Sequence, residues 1–324
     1  MDRIELSLVE YKSWCEKLGI LTVSDINRIL KEGKASWLIN ISEIWHEQNI
    51  SEIAREIKRD VARKKIILIS GPSSSGKTSF AGRLQLHLKV LGINAVSISL
   101  DNYYKDIDDM PLNSYGKPDF EALESIDYIR FNENIEHLID GHKVLVPIYD
   151  FSDKSGKEVP LKLEADDVII VEGIHGLNEN LTANISNDKK YKIYCSALTA
   201  LSKDDNTRIK SRTNRLIRRL IRDYYFRNSH YKFTFELWPH VEEGAQKYIF
   251  PYTNSADVIF NSSLLYELAV YKSHLNEIFK DAENKNDEIN ELLGLVNSFD
   301  DIDDKMTPRT SIIREFVGGS TLGL

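Results

Sequence analysis

Between Ser51 and Lys65 the apolar residues Ile53, Ala54, Ile57 and Val61 recur at helical spacing, with Glu52, Arg55, Glu56, Lys58 and Arg59 between them. That period predicts a surface helix with one buried stripe. The run Ile66-Ile67-Leu68-Ile69-Ser70 comes next, without polar alternation, as expected of a central parallel strand covered on both faces. After a short glycine-bearing loop, Phe80, Leu84, Leu88 and Leu91 mark one face of a second helix that stops at Gly92, and Ala95 to Leu100 reads as a second strand. Strand, helix and strand in this order make a βαβ unit. Further strands are predicted at Lys143 to Tyr149, Asp167 to Val171, Tyr191 to Cys195 and Asp257 to Phe260, separated by helical or irregular stretches. The alternation predicts an α/β chain with a mostly parallel, helix-flanked sheet.

Residues 1–50 read as a small helical appendage, with Ser24 as a candidate N-cap ahead of Ile26, Ile29 and Leu30, and residues 51–324 as one domain. The acidic stretches Asp281 to Glu291 and Asp300 to Asp304 read as solvated surface. A chain of 324 residues, 42% of them hydrophobic, can bury a sizeable core. Its net charge of −8 argues against general affinity for nucleic acid or an anionic membrane, so a phosphate site has to be built locally. Cys15 and Cys195 are the two cysteines, too few for a disulfide framework or a four-thiolate zinc site. The first residues carry acids where a secretory signal needs a basic start, and no 18-residue apolar stretch occurs, so a soluble, cytoplasmic chain is expected.

The loop after the first strand, Gly71-Pro72-Ser73-Ser74-Ser75-Gly76-Lys77-Thr78, matches G-x-x-x-x-G-K-[ST] without a mismatch, between a buried strand and an amphipathic helix. Such a P-loop turns backbone N–H groups inward around phosphate oxygens, adds the partial positive charge of a helix N-terminus, brings Lys77 to the β/γ-phosphates and offers the Thr78 hydroxyl to Mg²⁺. The expected fold is therefore that of P-loop NTPases, and the expected cofactors are ATP and Mg²⁺. A second core strand, Asp167 to Val171, runs into Glu172, where a P-loop enzyme holds its metal-side acid; Asp167 opens the strand and belongs at the opposite edge. Asp101 follows the second strand directly, so Asp101, Glu172 and Lys77 should converge at the C-terminal edge of a parallel sheet. There a carboxylate can accept a hydroxyl proton during attack on the γ-phosphate, although a loop Asp standing alone is more often a turn or capping residue.

Between Arg208 and Arg227 lie eight basic residues and one acid, Asp223, and Arg215, Arg218, Arg219 and Arg222 fall on one helical stripe. The stripe could be a solvated basic face, a nucleic-acid face or a phosphate-clamping lid, and the P-loop makes an arginine-rich lid the better use. Asn284-Lys285-Asn286-Asp287 resembles a guanine-reading signature but follows a polar stretch and not a buried strand. His175, His230 and His240 show no zinc spacing.

The P-loop, Asp101-Asn102-Tyr103-Tyr104, Val146-Pro147-Ile148-Tyr149-Asp150-Phe151, Glu172-Gly173-Ile174 and Arg218-Arg219-Leu220-Ile221-Arg222-Asp223 occur in the order seen in uridine kinases. The chain from about residue 50 onward resembles the uridine kinase and phosphoribulokinase family. Trp238-Pro239, Lys247 to Pro251, Ala256-Asp257-Val258 and Arg314-Glu315-Phe316-Val317-Gly318-Gly319 resemble a bacterial branch of it. Residues 1–50 resemble at most the last part of a synthetase-like region that some relatives carry. The resemblance implies Asp101 as base and metal-side ligand, Tyr104 and Tyr149 as walls of the substrate pocket, and Arg219, Arg222 and Arg227 as lid contacts to phosphates or substrate. It sets Glu121 where a sugar-binding Asp is usual. Lys154 stands at the place of a base-contacting His, and Leu237 and Ser229 replace polar or basic contacts, which weakens the case for uracil. His175 resembles the equivalent stretch of phosphoribulokinases and keeps a sugar phosphate in view. The implied reaction is phosphoryl transfer from ATP to a small-molecule hydroxyl, nucleoside or sugar, with no nucleic-acid or membrane partner expected and room for a homo-oligomer. A P-loop regulatory or RNA-associated module is the reading of another class, set against by the acidic charge.

Overall fold

The computed structural model describes residues 2–150, 155–204, 207–282 and 286–323. Three helices open the chain: α1 (Arg3–Leu18), α2 (Val23–Lys31) and α3 (Ala35–Arg59). Then come β1 (Ile66–Ser70), α4 (Lys77–Val90) and β2 (Ala95–Ser99), the βαβ unit legible in the sequence. Next are α5 (Tyr128–Ile139), β3 (Val144–Asp150), β4 (Ser155–Leu161), β5 (Val168–Glu172) and β6 (Lys190–Ser196). The chain continues through α6 (Ser211–Phe226), α7 (Tyr231–Tyr248), β7 (Val258–Asn261), α8 (Glu267–Ile278), α9 (Asp287–Val296) and the short α10 (Arg314–Val317).

Five strands form a wholly parallel sheet in the order β2-β5-β1-β6-β7. The period of two sends alternate residues of β1 to opposite cores. Ile67 and Ile69 join the larger cluster, with residues of α1–α4, α6, α8 and α9, while Ile66 and Leu68 join a second, with Phe131, Ile135 and Leu138 of α5. Tyr11, Cys15, Ile26, Leu38 and Ile50 are buried in the same cluster as Phe80, Ile193 and Phe260. The boundary expected at residue 50 falls in the interior of α3, whose helix is continuous from Ala35 to Arg59.

Two expectations need correction. The strand at 143–149 is not part of the main sheet: β3 pairs antiparallel with β4 in a separate hairpin, in a register that sets Pro147 opposite Glu158. Pro147 cannot donate to a central ladder. Val144 and Val146 are buried whereas Leu145 is 52% exposed, the alternation of a sheet with one wet face. The cap of α2 is Thr22 rather than Ser24: its hydroxyl accepts from Asp25 N while the Asp25 carboxylate accepts from Thr22 N, a reciprocal capping box.

The arginine-rich helix is a core element. Arg218 of α6 is fully buried against Glu267 of α8 at 2.7 Å, and its Nη2 also donates to Ser262 O at 2.8 Å. Asn214, Ser263 and Leu264 N donate to Glu267 as well. A solvated basic face is thus excluded for the middle of α6. Removing one partner of a buried ion pair strands the other charge, which costs far more than the pair contributes. Glu267→Ala should therefore lower stability by roughly 3–5 kcal/mol, with an Arg218→Met/Glu267→Leu double variant recovering part of the loss; urea unfolding measures both.

Candidate active site

The P-loop leaves β1 at the centre of the sheet and enters α4 at Lys77. Two glycines make its course possible. A Cβ on Gly71 would lie 2.0 Å from the carbonyl oxygen of Cys195, and Gly76 has φ +85° with Ile312 packed 2.7 Å from the place of a Cβ. Ser74 takes the left-handed conformation at φ 60°. Loop carbonyls are tied down from behind: Ser75 O accepts from Ser262 Oγ and Cys195 Sγ, Ser73 O from Arg215 Nε at 3.0 Å. The hydroxyls of Ser74 and Ser75 are buried without a protein partner, and Thr78 is exposed at the first turn of α4. Buried donors left open around a helix N-terminus fit an anionic ligand such as a triphosphate. Lys77 is buried, its ammonium parked on Pro72 O at 3.3 Å.

Parallel pairing brings the strand ends into register beside this loop. Glu172 lies level with Ile69 of β1 and Ser99 of β2. Ser99 Oγ donates to Glu172 Oε1 at 2.7 Å and accepts from Asp101 N at 3.3 Å, so one hydroxyl bridges the two segments that carry the candidate acids. Burial, reinforced by Asp101 and opposed by Lys77 and the Ser99 hydrogen bond, pushes the Glu172 carboxyl up to about 7. Asp101 itself is exposed. An exposed Thr78 hydroxyl with Asp101 and Glu172 is an oxygen donor set that suits a hard cation such as Mg²⁺. Among the described residues no group of three or more His, Cys, Asp or Glu that could hold a metal ion is present. Asp167 sits at the far end of β5 and accepts from Glu164 N.

Glu121 reaches the same region from the loop before α5. Burial, together with Asp119, pushes its carboxyl up to about 7 against the pull of Arg219, Lys77 and Arg215. Tyr104 donates to Phe120 O at 2.7 Å, and burial, then Asp101, Glu121 and Asp119, raise its phenol. His175 is fully buried, edge-on to Tyr248 at 5.9 Å, and burial depresses it to about 4, so it is neutral and packed rather than presented to solvent. Lys154 lies outside the described residues, and so does the side chain of Tyr149. His240 meets Asp119 at 3.3 Å and His230 accepts from Lys232 N as the cap of α7. Asn286 caps α9, while Asn284 and Lys285 lie outside the described residues.

From α6, Arg219 Nη1 donates to Ser73 Oγ at 3.0 Å. Asp223 gathers Arg219 at 3.2 Å, Arg222 at 3.1 Å and Arg227 at 3.7 Å. Arg222 first, then burial, lowers Arg227 to about 10, with Asp101 acting in the opposite sense. Glu315 and Ser99, both in contact with this site's backbone or acids, carried no signal of their own in the sequence.

The family described as phosphoribulokinase / uridine kinase matches residues 66–266. A uridine kinase of Macrococcus caseolyticus is 31% identical over 163 residues, 50% of this chain and 70% of that protein. One of Staphylococcus haemolyticus is 32% identical over the same length and shares. A solved structure described as a possible uridine kinase from Bacillus stearothermophilus aligns with a TM-score of 0.41 and 18% identity over 66% of this chain and 98% of that one.

The raised Glu172 carboxyl has a consequence for stability. The folded chain holds this proton up to about pH 7 and the unfolded chain only to about the ordinary 4.5, so the contribution of Glu172 to stability is fully present below 4.5 and is lost as the pH rises from there to about 7. Glu172→Gln removes this share of the decline. The variant should match wild type near pH 5 and exceed it at pH 8 by about 1–3 kcal/mol, read from denaturant unfolding at the two pH values.

Proposed function

This chain belongs to the phosphoribulokinase / uridine kinase family, and from that premise we propose that it transfers the γ-phosphoryl group of Mg·ATP to a hydroxyl of a nucleoside. The observation that carries the reading is the meeting of a tied-down P-loop, the Ser99-bridged segments of Asp101 and Glu172, and Glu121 with its facing cations at one sheet edge. The relatives' description as uridine kinases supports a nucleoside acceptor.

Bound Mg·ATP supplies the electrophilic phosphoryl group. The rest falls to the chain. Phosphoryl transfer asks for alignment and charge neutralisation more than covalent help. Lys77 holds negative charge on the β/γ-oxygens, Thr78 and Glu172 serve the metal side, and Asp101 accepts the proton of the attacking hydroxyl. Glu121 and Tyr104 orient the acceptor. Arg219, Arg222 and Arg227, gathered on Asp223, can exchange that carboxylate for phosphate oxygens as the site fills. The arginines an RNA-binding face would need are largely engaged within the fold, which weighs against a nucleic-acid role. Among the described residues no helix is long and apolar enough to cross a membrane.

An ATP-consumption screen over pyrimidine and purine nucleosides, sugars and sugar phosphates tests the reading. A pyrimidine nucleoside should be turned over fastest, and a sugar phosphate in its place would move the chain to the other arm of its family. With the preferred acceptor, Asp101→Asn should lower kcat by roughly 10²- to 10⁴-fold while ATP still binds. Lys77→Ala should abolish turnover. Near-normal turnover in either variant would overturn the assignment of that residue.

A further inference from the structure

Glu315 belongs to a stretch that marked a family likeness but suggested no chemistry. Its carboxylate reaches the P-loop: Oε2 accepts from Ser79 N at 3.0 Å, and Ser79 is the third residue of α4. The opening amides of a helix have no partner within it, and in a P-loop they are the phosphate donors.

The carboxylate is held on a rigid frame. Ile312, Ile313 and Phe316 are fully buried, and Ile312 packs on Gly76. Arg314 donates to Thr307 O at 2.6 Å, Asp304 O at 2.7 Å and Gly318 O at 3.3 Å. The Phe316 ring lies under the Arg218 guanidinium at 5.1 Å. Farther on, Gly318 meets the Phe226 ring of α6 and Leu322 lies over Gly82 of α4. Residues 311–322 therefore strap the start of α4 to α6, the two elements that enclose the proposed nucleotide site.

We propose that Glu315 is a positioning residue for nucleotide binding. By taking the third amide of α4 it fixes the first helical turn and leaves the amides of Gly76, Lys77 and Thr78 aimed at the phosphates. The role toward nucleotide rests on the kinase reading above; the contact itself does not. A mobile carboxylate at the same place would instead compete with phosphate and act as a brake; against that stand the buried Ile313 and Phe316 and the three hydrogen bonds of Arg314, which fix the backbone on both sides of Glu315.

Two substitutions in the full chain separate reach from charge. Glu315→Gln keeps an acceptor oxygen at the same reach and removes the charge, whereas Glu315→Asp keeps the charge and is one methylene too short. The measurements are hydrogen exchange of the peptide spanning residues 76–80 without nucleotide, MgADP binding by calorimetry, and KM for ATP and for the acceptor. In Glu315→Asp, exchange should quicken and MgADP and ATP affinity should fall roughly three- to tenfold, with the acceptor KM unchanged. Glu315→Gln should behave as wild type. Unchanged exchange in Glu315→Asp overturns the positioning contact, and tighter nucleotide binding in Glu315→Gln overturns it in favour of a brake. A wild-type chain that binds no MgADP overturns the kinase reading and, with it, the role toward nucleotide, whatever the exchange shows.

Discussion

The buried pair of Arg218 and Glu267 is the contact on which the surroundings of the P-loop depend. Arg218 joins α6 to α8 through Glu267, to the segment after β7 through Ser262, and to α10 through the Phe316 ring. Two fully desolvated charges are tolerable only when each is hydrogen-bonded on every side, and here Glu267 also accepts from Asn214, Ser263 and Leu264 N. The geometry of that pair fixes how closely α6 can approach the loop. Arg215 and Arg219, one turn apart from each other on α6, then reach Ser73. One arginine of the stripe anchors the helix, and its neighbours address the phosphate loop.

Around this anchor the chain builds a local field unlike its overall charge. A net charge of −8 would repel a triphosphate, yet Lys77, Arg215 and Arg219 surround the site and are balanced by Glu121, Asp223 and Glu172. The acids have two uses. Asp223 gathers three arginines, and Glu121 and Glu172, both pushed up to about 7, lie on the acceptor and metal sides of the proposed site. Burial does most of the shifting in both carboxyls, because a dry sheet edge disfavours charge before any partner is counted.

The opening helices share in the same architecture. Residues of α1–α3 complete the apolar cluster over one face of the sheet, and α3 meets α4 through Arg83, which pairs with Glu43 at 3.5 Å and Glu47 at 2.7 Å, and through His87 on Glu47. A parallel sheet needs both faces covered. The helix that carries the P-loop is therefore braced from α3 on one side and from the segment of α10 on the other.

Short-range pattern alone determined the parallel strands, the βαβ unit around the P-loop and the placing of Asp101 and Glu172 at strand ends. Those features depend on residues within a few positions of one another, where period, turn chemistry and motif spacing are legible. Tertiary structure decided the rest. Whether Arg218 is a phosphate clamp or a buried anchor depends on Glu267, 49 residues away, and the contact of Glu315 with the first turn of α4 spans 236. The same is true of β3, whose one wet face shows only in the folded chain and whose partner β4 lacked a strand signal strong enough to read. The continuity of α3 across residue 50 followed from burial against the sheet rather than from any change in composition. A one-dimensional pattern states what each segment can bury or donate; only the folded chain states which distant group receives it.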